Sequence, residues 1–224
     1  MAGPLIFDLD GTLIDSAPGI LVSFDRAFKE CGLRPKIPLD ESVIGPPLDK
    51  TLRDLSGSED LDTLSHLADA FKEHYDAEGY KCTLPFPGVE EMLKANRTNR
   101  MFIVTNKREK PTRLILTFLN WVHFFEKVYA INTFGLAVKD KSELLGKLLT
   151  DARLDPSECV YVGDRPEDFE AATTNKTDFL WALWGGSKER CHPQISYGIP
   201  IESPSALIER WESESMLSDN YGLP

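Results

Sequence analysis

Leu5-Ile6-Phe7-Asp8-Leu9-Asp10-Gly11-Thr12 decides how the chain folds. A short apolar run leads into two acids spaced two apart, and a glycine follows at once. A run of that kind, too uniform for an amphipathic strand, predicts a strand over Leu5–Leu9 covered on both faces. Side chains two apart on a strand project to the same side, so Asp8 and Asp10 leave it together until Gly11 permits a turn. Runs of similar character predict further strands at Met101–Thr105, Lys127–Ile131, Val160–Val162 and Phe179–Leu183. Between them the apolar spacing becomes helical. Val89, Met92 and Leu93 follow Pro87-Gly88, and Leu144, Leu145, Leu148, Leu149 and Ala152 follow Asp140 and Glu143 in capping-box spacing. A last helix carries Leu207, Ile208 and Trp211, with Ser203 as cap and Pro204 in its first turn. Strand, helix, strand, repeated, predicts an α/β fold built on a doubly wound, Rossmann-like parallel sheet.

The interval from Ser16 to Cys82 breaks the alternation. Ile20, Phe24, Ala27, Phe28 and Cys31 share one helical stripe ending at Gly32, and Leu64, Leu67, Ala68, Phe71 and Tyr75 share another. Ile44-Gly45-Pro46-Pro47-Leu48 marks a sharp turn before a short helix. With no strand-like run in the interval, residues 16–82 are expected to form an all-helical inserted domain, and residues 1–15 and 83–224 the α/β core.

Composition narrows the function classes. The chain has 224 residues, 42% hydrophobic and 27% charged, ordinary for a folded domain. Its longest apolar run, Phe179–Trp184, falls far short of the roughly 18 residues of a membrane span, so no membrane partner is expected. A net charge of −11 and the lack of any Lys/Arg cluster argue against nucleic-acid binding. No basic stretch or long apolar segment marks an export leader at Met1, and Cys31, Cys82, Cys159 and Cys191 are scattered, with no CxxC pair. Reduced thiols, mostly buried, and a cytoplasmic location are expected, for a monomer or weak homodimer.

Ligands bind open parallel sheets at the carboxyl ends of the strands, so what each strand delivers there matters. The first delivers Asp8 and Asp10, the second Thr105 and Asn106, and the fourth Asp164, with Asp168 in the first turn of the next helix. A hydroxyl and a backbone N–H are suitable donors to a phosphoryl oxygen. Asp164 and Asp168 also have an ordinary explanation, as a helix cap and a partner of the helix dipole. Four carboxylates in one crevice would repel, and a hard divalent cation resolves this; Mg²⁺ takes oxygen ligands and shares them with phosphate. His66, His74, His123 and His192 are isolated from one another, so zinc is disfavoured. A lysine is needed to offset the charge, and Lys139 and Lys141 both open the leucine-rich helix. Phe118, Trp121, Phe124 and Phe125 read as core.

The ordered set resembles the haloacid dehalogenase-like hydrolase superfamily, and within it the phosphoglycolate-phosphatase-like branch. The resemblance covers nearly the whole chain. It is carried by Phe7-Asp8-Leu9-Asp10-Gly11-Thr12-Leu13-Ile14-Asp15-Ser16, Val104-Thr105-Asn106-Lys107 and Tyr161-Val162-Gly163-Asp164-Arg165-Pro166-Glu167-Asp168. The third motif departs from the family: Lys139-Asp140-Lys141-Ser142-Glu143 lacks the prolines of many relatives, and Lys141 is favoured over Lys139 as its lysine. The helical insert matches the cap domain of this branch.

This resemblance implies a Mg²⁺-dependent phosphatase acting on a small phosphorylated metabolite through an aspartyl-phosphate. Asp8 is its nucleophile and Asp10 its acid and base. Asp8, Asp164 and the Asp10 carbonyl hold the metal; Thr105, Asn106 and Lys141 hold the phosphoryl oxygens, and Asp168 orients the lysine or a metal-bound water. A phosphosugar mutase of the β-phosphoglucomutase type keeps both motif-one aspartates and is the alternative; a non-catalytic binding protein on the same scaffold is a third reading. Gly45-Pro46-Pro47-Leu48 is the candidate cap turn toward the substrate.

Overall fold

The structure, a computed structural model, describes residues 3–44, 46–135, 138–185 and 198–210. Gly45, Cys191, His192 and Trp211 lie outside them. The chain forms two compact units, one of residues 1–14, 85–109 and 121–224, the other of residues 15–84 and 110–120.

The first unit is built on a six-stranded sheet. Its strands are β1 (Leu5–Phe7), β4 (Met101–Thr105), β5 (Lys127–Ala130), β6 (Val160–Gly163), β7 (Asp178–Ala182) and β8 (Ile199–Ile201), in the order β5-β4-β1-β6-β7-β8. Every neighbouring pair is parallel. Phe7 stands in register with Ile103 on one side and Val162 on the other. Successive strands step outward from β1 in one direction and then, from β6, in the other, so the switch point falls between β1 and β6.

All residues of β1 and β4 are buried, as strands covered on both faces must be. On one face Ile6, Phe102, Val104, Tyr129, Tyr161, Phe179 and Trp181 form a core with Leu144, Leu145, Leu148 and Leu149 of α6 (Lys141–Ala152) and Ala171 and Ala172 of α7 (Pro166–Asn175). α4 (Val89–Ala95) buries Val89, Met92 and Leu93, and the helical residues 204–210 bury Leu207. The doubly wound parallel sheet is as the apolar pattern predicts.

Two departures have clear causes. β1 stops at Phe7 rather than Leu9, because the Leu9 carbonyl accepts from the N–H groups of Thr12, Leu13 and Ile14 and closes a turn. β8 contains Pro200, a residue that argues against a strand but is tolerated at a sheet edge, where β8 lies.

The second unit is helical: α1 (Ala17–Glu30), α2 (Leu48–Ser56), α3 (Leu61–Ala77) and the body of α5 (Glu109–Phe118). Its core gathers Phe24, Phe28, Leu52, Leu67, Phe71 and Tyr75, with Phe24 and Phe71 stacked at 4.3 Å between ring centroids. α3 starts where Asp60 accepts from the Thr63 N–H. Where the chain passes between the units, Ile14–Asp15 (β2) and Leu84–Pro85 (β3) pair as a two-stranded sheet.

Two expectations of burial need correcting. Trp121 and Phe125 are core, but Phe118 is half exposed, set edge-on to Tyr80. Of the described cysteines, all free, only Cys159 is buried, and Cys82 is exposed. No described helix is long and apolar enough to cross a membrane.

Candidate active site

The site lies within the first unit, at the carboxyl ends of β1, β4 and β6. Asp8 follows β1 and is still held in the sheet, its N–H donating to the Val162 carbonyl at 2.9 Å. Its carboxylate is buried, and Lys141 Nζ stands 3.0 Å from Oδ1. The contact is an ion pair, and no other donor reaches this buried oxygen. Asp10, beyond the end of the strand, faces a different group: Lys107 Nζ lies 3.0 and 3.2 Å from its two oxygens. Ending the strand at Phe7 is what turns the two acids to different partners.

Asp164 follows β6 and is buried, its Oδ1 accepting from Thr12 Oγ1 at 3.1 Å. Gly11 makes the approach possible. Its φ is +88°, which a side chain rarely adopts, and a Cβ there would stand 2.4 Å from Asp164 Oδ2. Trp184 Nε1 donates to the Thr12 carbonyl at 2.8 Å, pinning the same turn from beyond β7.

Lys141 is the first residue of α6, whose N-cap Asp140 accepts from the Glu143 N–H. Its ammonium is buried between Asp8 and Asp168, 2.5 Å from Asp168 Oδ1. Lys139 is exposed, and its N–H donates to Glu143 Oε2, which completes the cap outside the helix. Asp168, at the third position of α7, is wholly buried. It accepts from Lys141, from the Tyr161 hydroxyl at 3.0 Å and from the Arg165 N–H at 3.0 Å. Gly163 leaves room for it: a Cβ there would meet the Asp168 side chain at 2.5 Å.

Thr105 ends β4, buried, and its Oγ1 accepts from the Lys107 N–H at 3.1 Å. Asn106 follows, half-buried. The structure therefore brings Asp8, Asp164, Asp168 and Lys141 together, pairs Asp10 with Lys107, and places Thr105 and Asn106 on the adjoining strand end. The sequence reading assigns nothing to Lys107, Tyr161 or Trp184. The signal for Lys107 lay in the motif itself, one residue past Asn106 on the strand beside β1.

Electrostatics follow from burial. Asp8 is pushed up to about 7 by loss of solvent; Lys141 pulls it down, but Asp168, Asp164 and Asp10 push it up again. Burial works against the Lys141 ammonium, yet Asp168 and Asp8 outweigh it and hold its proton more firmly than on a free lysine. The Tyr161 phenol is raised well above its ordinary value by burial first and then by Asp168 and Asp8.

Asp8, Asp164 and Asp168 can each offer an oxygen within 4.8 Å of the others. Like charges at 4.8 Å repel by roughly 3–4 kcal/mol at an effective dielectric of about 20. Asp168 already accepts from three donors, Lys141 and Tyr161 on one oxygen and the Arg165 N–H on the other. Asp8, with an oxygen that meets no donor beyond Lys141 and a raised carboxyl, and Asp164 are thus the pair that fits a hard cation with oxygen ligands.

The cluster of carboxylates and the buried lysine stands at the switch point of a doubly wound sheet, where open parallel sheets bind ligands. The chain belongs to the haloacid dehalogenase-like hydrolase family, which matches residues 5–182. It is 33% identical over 184 residues to the tyrosine-protein kinase PtkA of Mycobacterium tuberculosis; the match covers 81% of this chain but only 62% of that relative. It is 30% identical over 215 residues to the phosphoglycolate phosphatase of Aquifex aeolicus, over 92% of this chain and 94% of the relative. Among solved structures, a haloacid dehalogenase-like family hydrolase from Streptococcus pneumoniae shares the fold at a TM-score of 0.79, with 24% identity over 93% of this chain and 98% of that one.

Proposed function

We propose that the chain is a Mg²⁺-dependent phosphatase that hydrolyses a small organic phosphomonoester of the phosphoglycolate kind. The observation that carries this reading is the buried Lys141 ammonium 3.0 Å from Asp8 Oδ1, an oxygen at the end of β1 that no other donor reaches. A nucleophile needs a free lone pair and a neighbouring charge that offsets the anion it attacks.

In the first step an Asp8 oxygen bonds to phosphorus, the bond from phosphorus to the ester oxygen breaks, and Asp10 gives that oxygen a proton. In the second, Asp10 takes a proton from water, the water oxygen bonds to phosphorus, and the bond from phosphorus to Asp8 breaks, releasing phosphate. Lys141, Thr105 and the Asn106 N–H hold the equatorial oxygens, and Asp168 holds Lys141 in place. Asp8, Asp164 and the Asp10 carbonyl would hold Mg²⁺, which supplies neutralisation of the phosphoryl charge when bound. Substrate choice is assigned in this reading to the helical segment 16–82. The free thiols Cys31, Cys82 and Cys159 suit a cytoplasmic enzyme.

Phosphate release from a panel of phosphorylated metabolites tests the reading. Hydrolysis that requires Mg²⁺ and stops with chelator is expected, with phosphoglycolate among the better substrates. Conversion of glucose 1-phosphate to its 6-isomer without phosphate release would make the chain a mutase, and transfer from ATP to tyrosine would make it a kinase. Asp10→Asn is expected to slow steady-state turnover by about 10²–10⁴-fold, the usual worth of a positioned acid and base. Stopped assays on the purified variant check it.

A further inference from the structure

Asp8 and Asp10 face two different lysines, one from the first turn of α6 and one just past the end of β4. Lys141 serves Asp8; Lys107 reaches both oxygens of Asp10 across 97 residues of sequence. We propose that Lys107 is the positioning residue for Asp10, fixing the carboxylate where the ester oxygen and the attacking water must exchange protons with it. This rests on the phosphatase reading.

Asp10 needs such an anchor. The ladder bonding goes no further than the Asp8 N–H, so Asp10 sits in the Leu9–Ile14 turn, and 20% of its side chain is exposed. Lys107 is the better buried partner, with 7% of its side chain exposed. Its backbone is fixed at both polar groups: its N–H donates to Thr105 Oγ1 at 3.1 Å, and its carbonyl accepts from the Ile131 N–H at 3.3 Å. An ammonium mounted on a rigid strand end, touching both oxygens, sets the plane of the carboxylate as well as its distance. Surface ion pairs contribute little because both partners are free to move, and here one of them is not. Proton transfer requires hydrogen-bond reach at a defined angle, so a misplaced carboxylate loses rate while substrate still binds.

Lys107→Met, Asp10→Asn and the double variant, assayed with p-nitrophenyl phosphate at saturating Mg²⁺, test the assignment. Lys107→Met is expected to lower kcat by about 10–100-fold, the range a displacement near 1 Å produces, with KM changed less than about twofold. Adding Lys107→Met to Asp10→Asn is expected to cost nothing more, because Lys107 acts through Asp10. Lys107→Arg is expected to recover part of kcat by restoring a cation with parallel donors. Lys107→Gln keeps a donor and serves should the methionine variant fail to fold.

A double variant slowed by the product of the two single effects would overturn the proposal, as would wild-type kcat in Lys107→Met. A raised KM at unchanged kcat would make Lys107 a phosphate contact instead. Wild-type protein that hydrolyses no p-nitrophenyl phosphate with Mg²⁺, or an Asp8→Asn variant that still does, overturns the phosphatase reading itself and this inference with it.

Discussion

Asp8→Asn is expected to abolish turnover, by roughly 10⁴-fold or more, as loss of a nucleophile does elsewhere. The amide is nearly isosteric, so the sheet register around Phe7 and Val162 stays, and the Asp8 N–H still donates to the Val162 carbonyl. What goes is the lone pair that can bond to phosphorus and leave again as a carboxylate. A second signature separates this variant from a misfolded one. With the carboxyl raised to about 7 in the ion-free protein, the native state holds that proton more tightly than the unfolded chain does. The sign then follows: ion-free wild type loses stability as pH rises from the ordinary carboxylate range through about 7, and Asp8→Asn removes that loss. In chelator at pH 8 the inactive variant is expected to melt above wild type, and at pH 4 the gap should close. Thermal unfolding by circular dichroism reads both. An inactive variant that also melts lower at pH 8 would point to damaged structure rather than a missing nucleophile.

How much of this was legible from the amino acids depends on the distance over which each feature is decided. Strand identity is local: Leu5-Ile6-Phe7 and Met101-Phe102-Ile103-Val104 are apolar without a break, and only a sheet covered on both faces uses such runs. β8 is not local. Ile199-Pro200-Ile201 carries the residue least suited to a strand and pairs only because an edge leaves it free to. The same division runs through the site. That Asp8, Thr105 and Asp164 stand at strand ends can be read from where each apolar run stops. Which cation reaches which acid cannot, since it turns on side-chain reach across neighbouring strands and on the rotation of the first turn of α6. Lys139 and Lys141 are two residues apart, yet one is solvent-exposed and the other buried between two carboxylates. Lys107 shows the limit most plainly. It lies inside a quoted motif, but its partner is decided by β4 lying beside β1.

That contrast between the two lysines carries the second large prediction. Lys141→Ala is expected to reduce kcat by about 10²–10³-fold, the effect of removing one preorganised donor to a developing oxyanion, while Lys139→Ala stays close to wild type. The Lys141 variant should also lose stability, by about 3–5 kcal/mol, since it strips the shared cation from two buried acids and leaves them facing each other. Asp168 retains Tyr161 and the Arg165 N–H, so the larger injury falls on Asp8, whose Oδ1 has no other donor to fall back on. Steady-state kinetics and thermal unfolding on both variants read the outcome, and Mg²⁺ titration adds a third observable. A cation bound by Asp8 and Asp164 restores part of the missing positive charge, so the melting temperature of Lys141→Ala should rise more on adding Mg²⁺ than that of wild type. Full activity in Lys141→Ala together with collapse in Lys139→Ala would reverse the assignment of the phosphate-binding lysine, whatever the resting geometry of α6.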